Sequence, residues 1–104
     1  MKDITPQDLI AHIDSYILVD VREADEFTGP LGHIEGAVLI PLGQELQVFF
    51  ERADPSKSYV FICRSGHRSA LACELAPLYG FSKAFNLKGG MIEWGRLLKG
   101  HNAP

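Results

Sequence analysis

Short apolar runs alternate with helical segments along this chain, and this alternation is the strongest constraint on its fold. Strands are predicted over residues 16–21, 37–41, 59–62 and 84–87. The first run is apolar almost throughout, which is typical of a strand buried on both faces of a sheet. The pattern predicts an α/β fold with a mainly parallel sheet flanked by helices. The chain has 104 residues, the usual size of one domain, so we expect a single domain over residues 1–104.

The helical segments are marked by their ends and by their apolar spacing. Helices are predicted directly after Thr5 and over residues 23–27, 44–53, 67–79 and 91–99. In the fourth of these, Leu71, Leu75 and Leu78 recur at the spacing of the apolar face of an amphipathic helix. Pro77 predicts a kink in the last turn, because proline has no backbone N–H to donate. Gly80 predicts the end of the helix.

Charge and hydropathy argue against two classes of partner. The formal net charge is −3, which is unlike a surface that binds nucleic acid. No apolar run approaches the ~18 residues of a membrane span, and the first residues lack the apolar core of a signal peptide. We therefore expect neither nucleic acid nor a membrane as a partner.

The two cysteines, Cys63 and Cys73, are too few for a disulfide framework and lack the spacing of a metal site. Helical rise would place Cys73 ~9 Å beyond the start of the helix that follows Cys63, which is too far for a disulfide. We expect Cys73 to be a small buried residue and Cys63 to be a free thiol, which fits the reducing cytoplasm. The sequence predicts no metal and no cofactor.

Residues 59–69 predict a nucleophile at the entrance to a helix. An apolar run ends at Cys63, a polar loop with Gly66 follows, and the helical pattern then begins. Backbone N–H groups at a helix N-terminus lack intrahelical partners, and the macrodipole adds partial positive charge. Arg64 and Arg68 flank the thiol as candidate partners for a small anion. Alternatively, one of them pairs with an acidic side chain and mainly braces the loop. These features favour the thiolate, so we expect the pKa of Cys63 to lie below the ~8.5 of a free cysteine.

The remaining loop residues are further candidates for binding substrate. Gly66 permits the tight backbone that an anion cradle needs, and the hydroxyls of Ser65 and Ser69 can donate hydrogen bonds. Of these, Ser69 is interpreted as a supporting residue rather than as one that binds substrate. His67 either contacts the substrate or points to solvent.

Several polar residues outside the loop are interpreted as supporting groups. Asp20 and Arg22 follow a buried strand, so we expect them to form a salt bridge that braces the loops there, because charges in such a place need partners. His33 is predicted to hydrogen-bond a neighbouring loop. A cluster of acidic residues is interpreted as a solvated face: Glu23, Asp25 and Glu26.

Four segments, in order, resemble the signatures of one family. They are residues 18–27, residues 32–41 with their Gly-His-Ile-Glu-Gly-Ala start, the loop over 63–69, and the closing stretch from Gly80 to Trp94 that contains Asn86-Leu-Lys-Gly-Gly90. On these segments the chain resembles a single-domain rhodanese, a sulfurtransferase. The resemblance extends over nearly the whole chain and implies a doubly wound sheet and a persulfide formed on the loop cysteine, Cys63.

The resemblance implies a thiosulfate sulfurtransferase. Cys63 would take a sulfur atom from thiosulfate or a similar anionic donor, and a thiol, cyanide or a partner protein would accept it. Family members specific for thiosulfate tend to carry lysine at the third loop position, where this chain has Ser65. Members specific for mercaptopyruvate tend to carry a small residue at the second position, where this chain has Arg64. The physiological donor therefore stays open, and the alternative is a persulfide carrier or regulatory module that a protein partner loads.

Loop length separates this chain from the cysteine phosphatases. Four residues lie between Cys63 and Arg68, whereas those phosphatases use Cys-x5-Arg to wrap a tetrahedral phosphate. The shorter ring predicts a cradle for a thiolate or a terminal sulfur. A phosphatase or arsenate reductase is therefore the weaker alternative, and the intact Cys63 argues against a non-catalytic scaffold.

Overall fold

A five-stranded parallel sheet with helices on both faces forms the fold, in a computed structural model that describes residues 2–101, with side chains to residue 98. The strands are β1 (Lys2–Ile4), β2 (Ile17–Asp20), β3 (Val38–Leu39), β4 (Tyr59–Ile62) and β5 (Ala84–Leu87). The α-helices are α1 (Pro6–Ala11), α2 (Ala24–Phe27), α3 (Gln44–Arg52), α4 (His67–Leu75) and α5 (Gly90–His101). The strand order is β1-β5-β4-β2-β3, and every pairing is parallel. The predicted α/β fold is confirmed. Each helix of the described residues is too short or too polar to cross a bilayer.

The sequence pattern missed β1, which is the edge strand beside β5. Its register pairs Asp3 with Asn86 and Ile4 with Leu87. Of its three residues only Ile4 is buried, so no apolar run marks the strand. The strand forms because its backbone completes the ladder of β5, which local composition does not reveal.

The sheet is buried on both faces, and alternate residues of β4 divide between two cores. Tyr59 and Phe61 pack in the cluster that contains Leu46 and Phe50 of α3 and Ala72 of α4. On the opposite face, Val60 and Ile62 belong to a second cluster with residues of α1 and α5: Leu9, Met91 and Trp94. The two-residue period of a strand delivers these side chains to opposite faces.

Helix α4 corrects one prediction. Leu71, Leu75 and Leu78, whose spacing indicated a core face, are 50%, 39% and 79% exposed. The buried face consists of smaller side chains: Ser69, Ala72, Cys73 and Ala76. Small residues let the helix lie close against the sheet, and the larger leucines are then on the outer side.

The end of the same helix follows Pro77. The α-helix stops at Leu75 and continues as a short 3-10 turn over Ala76–Tyr79, with proline near its start. Proline cannot donate to the carbonyl four residues earlier, which breaks the α-helical ladder at this point. Gly80 ends the turn in the left-handed region at φ 87°, as the sequence predicts.

The carboxyl ends of β2 and β4 meet at one edge of the sheet. The Val21 N–H donates to the Ile62 carbonyl at 2.8 Å just beyond the two strands. Parallel α/β sheets bind ligands at this edge, because the loops that follow the strands gather there. Cys63 follows β4 directly and therefore lies at this edge.

Candidate active site

Cys63 lies at the base of a tight loop between β4 and α4. Its side chain is 1% exposed. Gly66, the N-cap residue of α4, has φ 107°, a left-handed value that side chains other than glycine rarely tolerate. This turn brings the Gly66 N–H to within 3.1 Å of Cys63 Sγ, to which it donates.

The environment of Sγ favours the thiolate. Burial raises the pKa of the Cys63 thiol, because a buried thiolate loses its hydration. Hydrogen bonds oppose burial: the Ser69 hydroxyl lies 3.2 Å from Sγ, and the N–H groups of Ser69, Gly66 and Ser65 also favour the charged form. The hydrogen bonds prevail, so the pKa of Cys63 lies below its ordinary value, in the predicted direction.

The N-terminus of α5 fixes the backbone of this loop. The Met91 N–H donates to the Cys63 carbonyl at 2.9 Å, and the Ile92 N–H donates to the Arg64 carbonyl at 3.0 Å. In a trans peptide the N–H points opposite to the carbonyl. Since these two carbonyls face α5, the N–H groups of Arg64 and Ser65 point away from α5, and that of Ser65 hydrogen-bonds to the Cys63 sulfur. The hydrogen bonds from α5 thus orient the backbone N–H groups of the loop that follows Cys63.

Glycine at position 90 is required for this approach. A Cβ atom on Gly90 would lie 2.5 Å from the carbonyl oxygens of both Cys63 and Arg64. No side chain fits there without displacing the loop. Gly89 and Gly90 appear in the sequence as part of a family signature, and the contact of Gly90 with the loop cannot be seen from their spacing.

Asp20 and Arg22 form the predicted salt bridge beneath the loops. Both side chains are buried, and the guanidinium pairs with the carboxylate in a two-point contact, Nε–Oδ1 at 2.9 Å and Nη2–Oδ2 at 2.8 Å. Arg22 also donates to the carbonyl oxygens of Glu26 at 3.2 Å and Gly32 at 2.8 Å. One buried side chain therefore holds the end of β2, helix α2 and the following loop together.

The match with known proteins agrees with this geometry. Residues 5–97 match the sequence profile of the rhodanese-like domain. The chain belongs to the rhodanese-like family. A crystal structure of a rhodanese-like domain protein from Staphylococcus aureus superposes on it with a TM-score of 0.79 at 31% identity, covering 90% of this chain and 91% of that one.

Two curated relatives carry sulfurtransferase names. "Putative sulfurtransferase YtwF" of Bacillus subtilis (strain 168) is 44% identical over 77 residues, which span 74% of this chain and 71% of that protein. The "Thiosulfate:glutathione sulfurtransferase" of Saccharomyces cerevisiae is 30% identical over 95 residues, which span 80% of this chain and 67% of that protein. These similarities support sulfur transfer as the general activity of this rhodanese-like protein.

Arg68 of the rhodanese-like loop is engaged with an acidic side chain. Its Nη1 and Nη2 lie 2.6 and 2.8 Å from the two carboxylate oxygens of Glu26 on α2. The interpretation of Glu26 as part of a solvated face is therefore wrong, because this carboxylate has a specific partner. The acidic residues of α2 gave no signal in the sequence that one of them would reach a loop 42 positions away.

The Arg68 hydrogen bonds hold the pKa of Glu26 at about 2, below its ordinary value of 4.5. A carboxyl whose folded pKa is depressed stabilises the fold above its unfolded pKa, and the stability is lost as the pH falls through the folded value. The Arg68–Glu26 pair is therefore intact at neutral pH and is lost only in strong acid.

The arginine and the histidine next to the thiol in the loop lie at the surface. Arg64 and His67 are exposed, and His67 Nδ1 lies 3.3 Å from the hydroxyl oxygen of Ser65. The hydrogen bonds found to Sγ come from backbone amides and the Ser69 hydroxyl rather than from either arginine. Amides and a serine hydroxyl thus lower the pKa of the thiol, and the two arginines remain candidates for contacts with the substrate.

Cys73 differs from Cys63 in its surroundings. It is buried on the inner face of α4, and both cysteines are free thiols. Burial raises the pKa of Cys73 to about 12, so it stays protonated and unreactive at neutral pH. The prediction of a small buried residue is confirmed.

His33 makes the predicted contact with a neighbouring loop. Its Nδ1 lies 2.9 Å from the carbonyl oxygen of Phe27, and the two rings stack with centroids 3.7 Å apart. This contact ties the loop before β3 to the end of α2.

Proposed function

We propose that this protein is a thiosulfate sulfurtransferase that carries sulfur as a persulfide on Cys63. The observation that carries this proposal is a single thiol, at the base of a loop, whose pKa is lowered by amide and hydroxyl donors aimed at Sγ. A thiolate of this kind is a nucleophile, and inward N–H groups suit the negative outer sulfur of a persulfide.

The first half-reaction forms the persulfide. The Cys63 thiolate attacks the outer sulfur of thiosulfate and forms a new S–S bond. The bond between the two sulfur atoms of thiosulfate breaks, and its electron pair leaves with sulfite. The outer sulfur stays on Cys63 with one negative charge, which the loop N–H groups face. Stabilisation of charge by fixed N–H donors is of the oxyanion-hole type.

The second half-reaction returns the free enzyme. The thiolate of an acceptor attacks the outer sulfur, the bond to Cys63 Sγ breaks, and Cys63 leaves as a thiolate. The acceptor becomes a persulfide, or thiocyanate when cyanide is the acceptor. The cycle is ping-pong because sulfur is held covalently between the two half-reactions.

A free thiol of this kind works in a reducing compartment, so we propose that the activity is cytoplasmic.

Two considerations favour thiosulfate as the donor. Thiosulfate is a dianion, and Arg64 carries positive charge at an exposed position of the loop, whereas the charge of Arg68 on the first turn of α4 is shared with Glu26. A relative at 30% identity is named for thiosulfate as its donor. The hydroxyl of Ser65 and the N–H of Gly66 are further candidate contacts for the donor, and His67 lies exposed beside them.

The direct test is to incubate the purified protein with thiosulfate and measure its intact mass. We expect an adduct of one sulfur atom, removed by a thiol reductant, together with one equivalent of sulfite released. Peptide mapping should place the adduct on Cys63. Turnover of thiosulfate with glutathione or cyanide as acceptor then measures the full cycle.

The same measurement separates the proposal from a persulfide carrier. A carrier would give no adduct with thiosulfate but would acquire one from a cysteine desulfurase supplied with cysteine. That result would refute the thiosulfate activity while keeping Cys63 as the sulfur site.

Replacing Glu26 with glutamine tests Arg68 as a substrate-binding group. The substitution removes the charge that neutralises Arg68 and leaves the guanidinium free to face an anion at the loop. We expect the KM for thiosulfate to fall roughly fivefold. This corresponds to about 1 kcal/mol, the energy of one further favourable charge interaction in partly solvated surroundings. Steady-state kinetics with varied thiosulfate measure it.

Asp25→Asn is the matched control, because it removes the same charge from α2 at an exposed position. Asp25→Asn should leave the KM close to that of the parent protein. If Glu26→Gln also leaves the KM unchanged but lowers the melting temperature, Arg68 braces the loop against α2 and does not bind the donor.

A further inference from the structure

Asn86 on β5 lies beside the loop, and its hydrogen-bond partners fix the orientation of its side-chain amide. Its Nδ2 lies 3.2 Å from the carbonyl oxygen of Gly66 and 3.3 Å from a carboxylate oxygen of Asp3. Both of these atoms only accept hydrogen bonds, so they require the donor nitrogen of the amide. The amide oxygen of Asn86 must therefore face the other way, toward Ser69, which it does.

The Ser69 hydroxyl has one proton and two acceptors. Its Oγ is in short hydrogen-bond contact with Asn86 Oδ1 and lies 3.2 Å from Cys63 Sγ. The amide oxygen cannot donate, and a thiolate cannot donate either. Ser69 and Asn86 are 0% and 6% exposed, so the choice between these two acceptors is made inside the protein. The hydroxyl can serve only one of them at a time.

We propose that the Ser69 hydroxyl is a two-position donor, and that Asn86 is the positioning residue whose amide oxygen accepts its hydrogen bond whenever Cys63 Sγ carries no charge. The change needs only a rotation of the Ser69 O–H bond about Cβ–Oγ. The Ser69 proton stays on its oxygen throughout, so no bond to it breaks and no further reactant is needed.

This inference rests on the proposed function, in which the charge on Sγ appears and disappears in every cycle. In the free thiolate, Ser69 donates to Sγ. In the persulfide, Sγ is neutral and the charge is on the outer sulfur, so Ser69 donates to Asn86 Oδ1. When the acceptor takes the outer sulfur, charge returns to Sγ, and the hydroxyl turns back to stabilise the departing thiolate.

Asn86 therefore competes with the thiolate for the hydrogen bond that the Ser69 hydroxyl donates. In the protonated enzyme the Cys63 S–H can donate to Ser69 Oγ while Ser69 donates to Asn86, so each group is satisfied. Ionisation moves the hydroxyl to sulfur and leaves the buried Asn86 oxygen without that donor, which costs free energy. The competition sets how readily Cys63 ionises and how readily the persulfide forms and reacts.

The first test follows the Asn86 side chain in the unaltered protein by carbon NMR. As the pH is raised, the signal of the Asn86 side-chain carbonyl should shift with the same midpoint as the ionisation of Cys63, measured by the thiolate ultraviolet absorbance. In Ser69→Ala this coupled shift should disappear. An Asn86 carbonyl that does not respond to Cys63 ionisation would refute the two-position donor.

The second test is a double-variant cycle read from the pH dependence of Cys63 alkylation by iodoacetamide. Asn86→Leu should lower the midpoint by about one pH unit, the effect of removing one competing hydrogen bond. Ser69→Ala should raise the midpoint. In the Ser69→Ala background, Asn86→Leu should no longer lower the midpoint.

The cycle distinguishes competition from support of the loop. If Asn86 acted only by holding the Gly66 carbonyl, its replacement would move the midpoint equally with and without the Ser69 hydroxyl, and that result would overturn the proposal. Ser56→Ala, which removes an exposed hydroxyl that donates to Asp54, is the matched serine control and should leave the midpoint unchanged.

The charged and titratable groups that face this region are retained in every variant of the cycle. They are Arg64, His67 and the Arg68–Glu26 pair around the loop, the Asp20–Arg22 pair at the end of β2, and Asp3 on β1. Asn86→Leu also removes a donor to the Asp3 carboxylate, and this loss is the same with and without the Ser69 hydroxyl, so it cancels in the cycle.

Loading the protein with thiosulfate extends the NMR test to the persulfide. At a pH where Cys63 is ionised, persulfide formation should return the Asn86 carbonyl signal toward its position in the protonated enzyme. Neither the titration nor the alkylation uses a sulfur donor. Failure of thiosulfate to give an adduct would therefore count against the proposed function alone, whereas an unresponsive Asn86 in the titration would count against this inference alone.

Discussion

Replacing Cys63 with serine is expected to abolish sulfur transfer and leave the fold intact. The serine hydroxyl fits the same volume and can use the same donors, the Gly66 N–H and the Ser69 hydroxyl. It stays protonated at neutral pH, however, so the loop contains no anionic nucleophile. It also cannot hold a sulfur atom as a persulfide. The expected result is no mass adduct with thiosulfate and no detectable turnover, with an unchanged thermal unfolding midpoint.

The control for this variant is the second buried cysteine. Cys73→Ala should still form the one-sulfur adduct, because burial raises the pKa of Cys73 to about 12 and keeps it unreactive. An adduct that persists in Cys63→Ser and disappears in Cys73→Ala would identify Cys73 on α4 as the nucleophile and refute the proposed role of Cys63.

Much of the fold could be predicted because the sequence carries local signals for it. The strand β4 was predictable because four consecutive apolar residues end at a cysteine and a glycine-containing loop. The strand β1 was not, because it has one buried side chain and exists through its pairing with β5. Local pattern predicts elements that bury their own apolar residues, and it misses those that depend on a neighbour's backbone.

The apolar pattern of α4 shows a different limit. Leu71, Leu75 and Leu78 have helical spacing, yet they lie on the exposed side. Periodicity gives the spacing of a face but not which face meets the sheet. Here the close approach of the helix to β4 and β5 selects the side with serine, alanine and cysteine.

The sequence predicted the position of Cys63 before a helix N-terminus and the direction of its pKa shift, whereas its role as the nucleophile stays a prediction. The residues that arrange the loop are far apart in sequence: Asn86 and Gly90 contact it from β5 and α5, and Glu26 binds Arg68 from α2. Their roles arise from packing between elements, so no spacing rule could assign them. The family signature drew attention to Asn86 and Gly90 without giving the physical reason for either.

These contacts explain why the loop can be short. Loop carbonyls are satisfied by the N–H groups of Met91 and Ile92, and the Gly66 carbonyl is satisfied by Asn86. With these carbonyls engaged outside, the inward amides cost little, because buried carbonyls that have hydrogen-bond partners carry no desolvation penalty. The charge on sulfur is thus stabilised by a backbone that neighbouring elements hold in place before any substrate binds.

Arg22→Ala is expected to be the most destabilising of the substitutions considered. Asp20 and Arg22 are 0% and 1% exposed, and they are paired through two hydrogen bonds. Removal of the guanidinium leaves the Asp20 carboxylate buried without its counter-charge and takes the Arg22 donor from the Gly32 carbonyl. The Glu26 carbonyl loses one of its donors and keeps the Gly29 N–H. Breaking a buried pair in this way costs roughly 3–5 kcal/mol, a large part of the stability of a small domain.

Urea unfolding with fluorescence or circular dichroism measures this loss, as a lower midpoint at similar slope. Arg96→Ala is the matched control, because Arg96 also pairs with a carboxylate, Glu93, but at an exposed position. Exposed pairs add little to stability, so the control should shift the midpoint only slightly. If Arg22→Ala has no larger effect than Arg96→Ala, the buried pair does not hold the loops together.

A double variant separates the stranded charge from the lost contacts. Asp20→Ala combined with Arg22→Ala removes both charges, so it should be less destabilising than the sum of the two single variants. At a temperature where Arg22→Ala is still folded, the protein should form the Cys63 persulfide, because Arg22 supports the loops and makes no hydrogen bond to Sγ. A folded Arg22→Ala protein that forms no adduct would instead give this arginine a part in the chemistry.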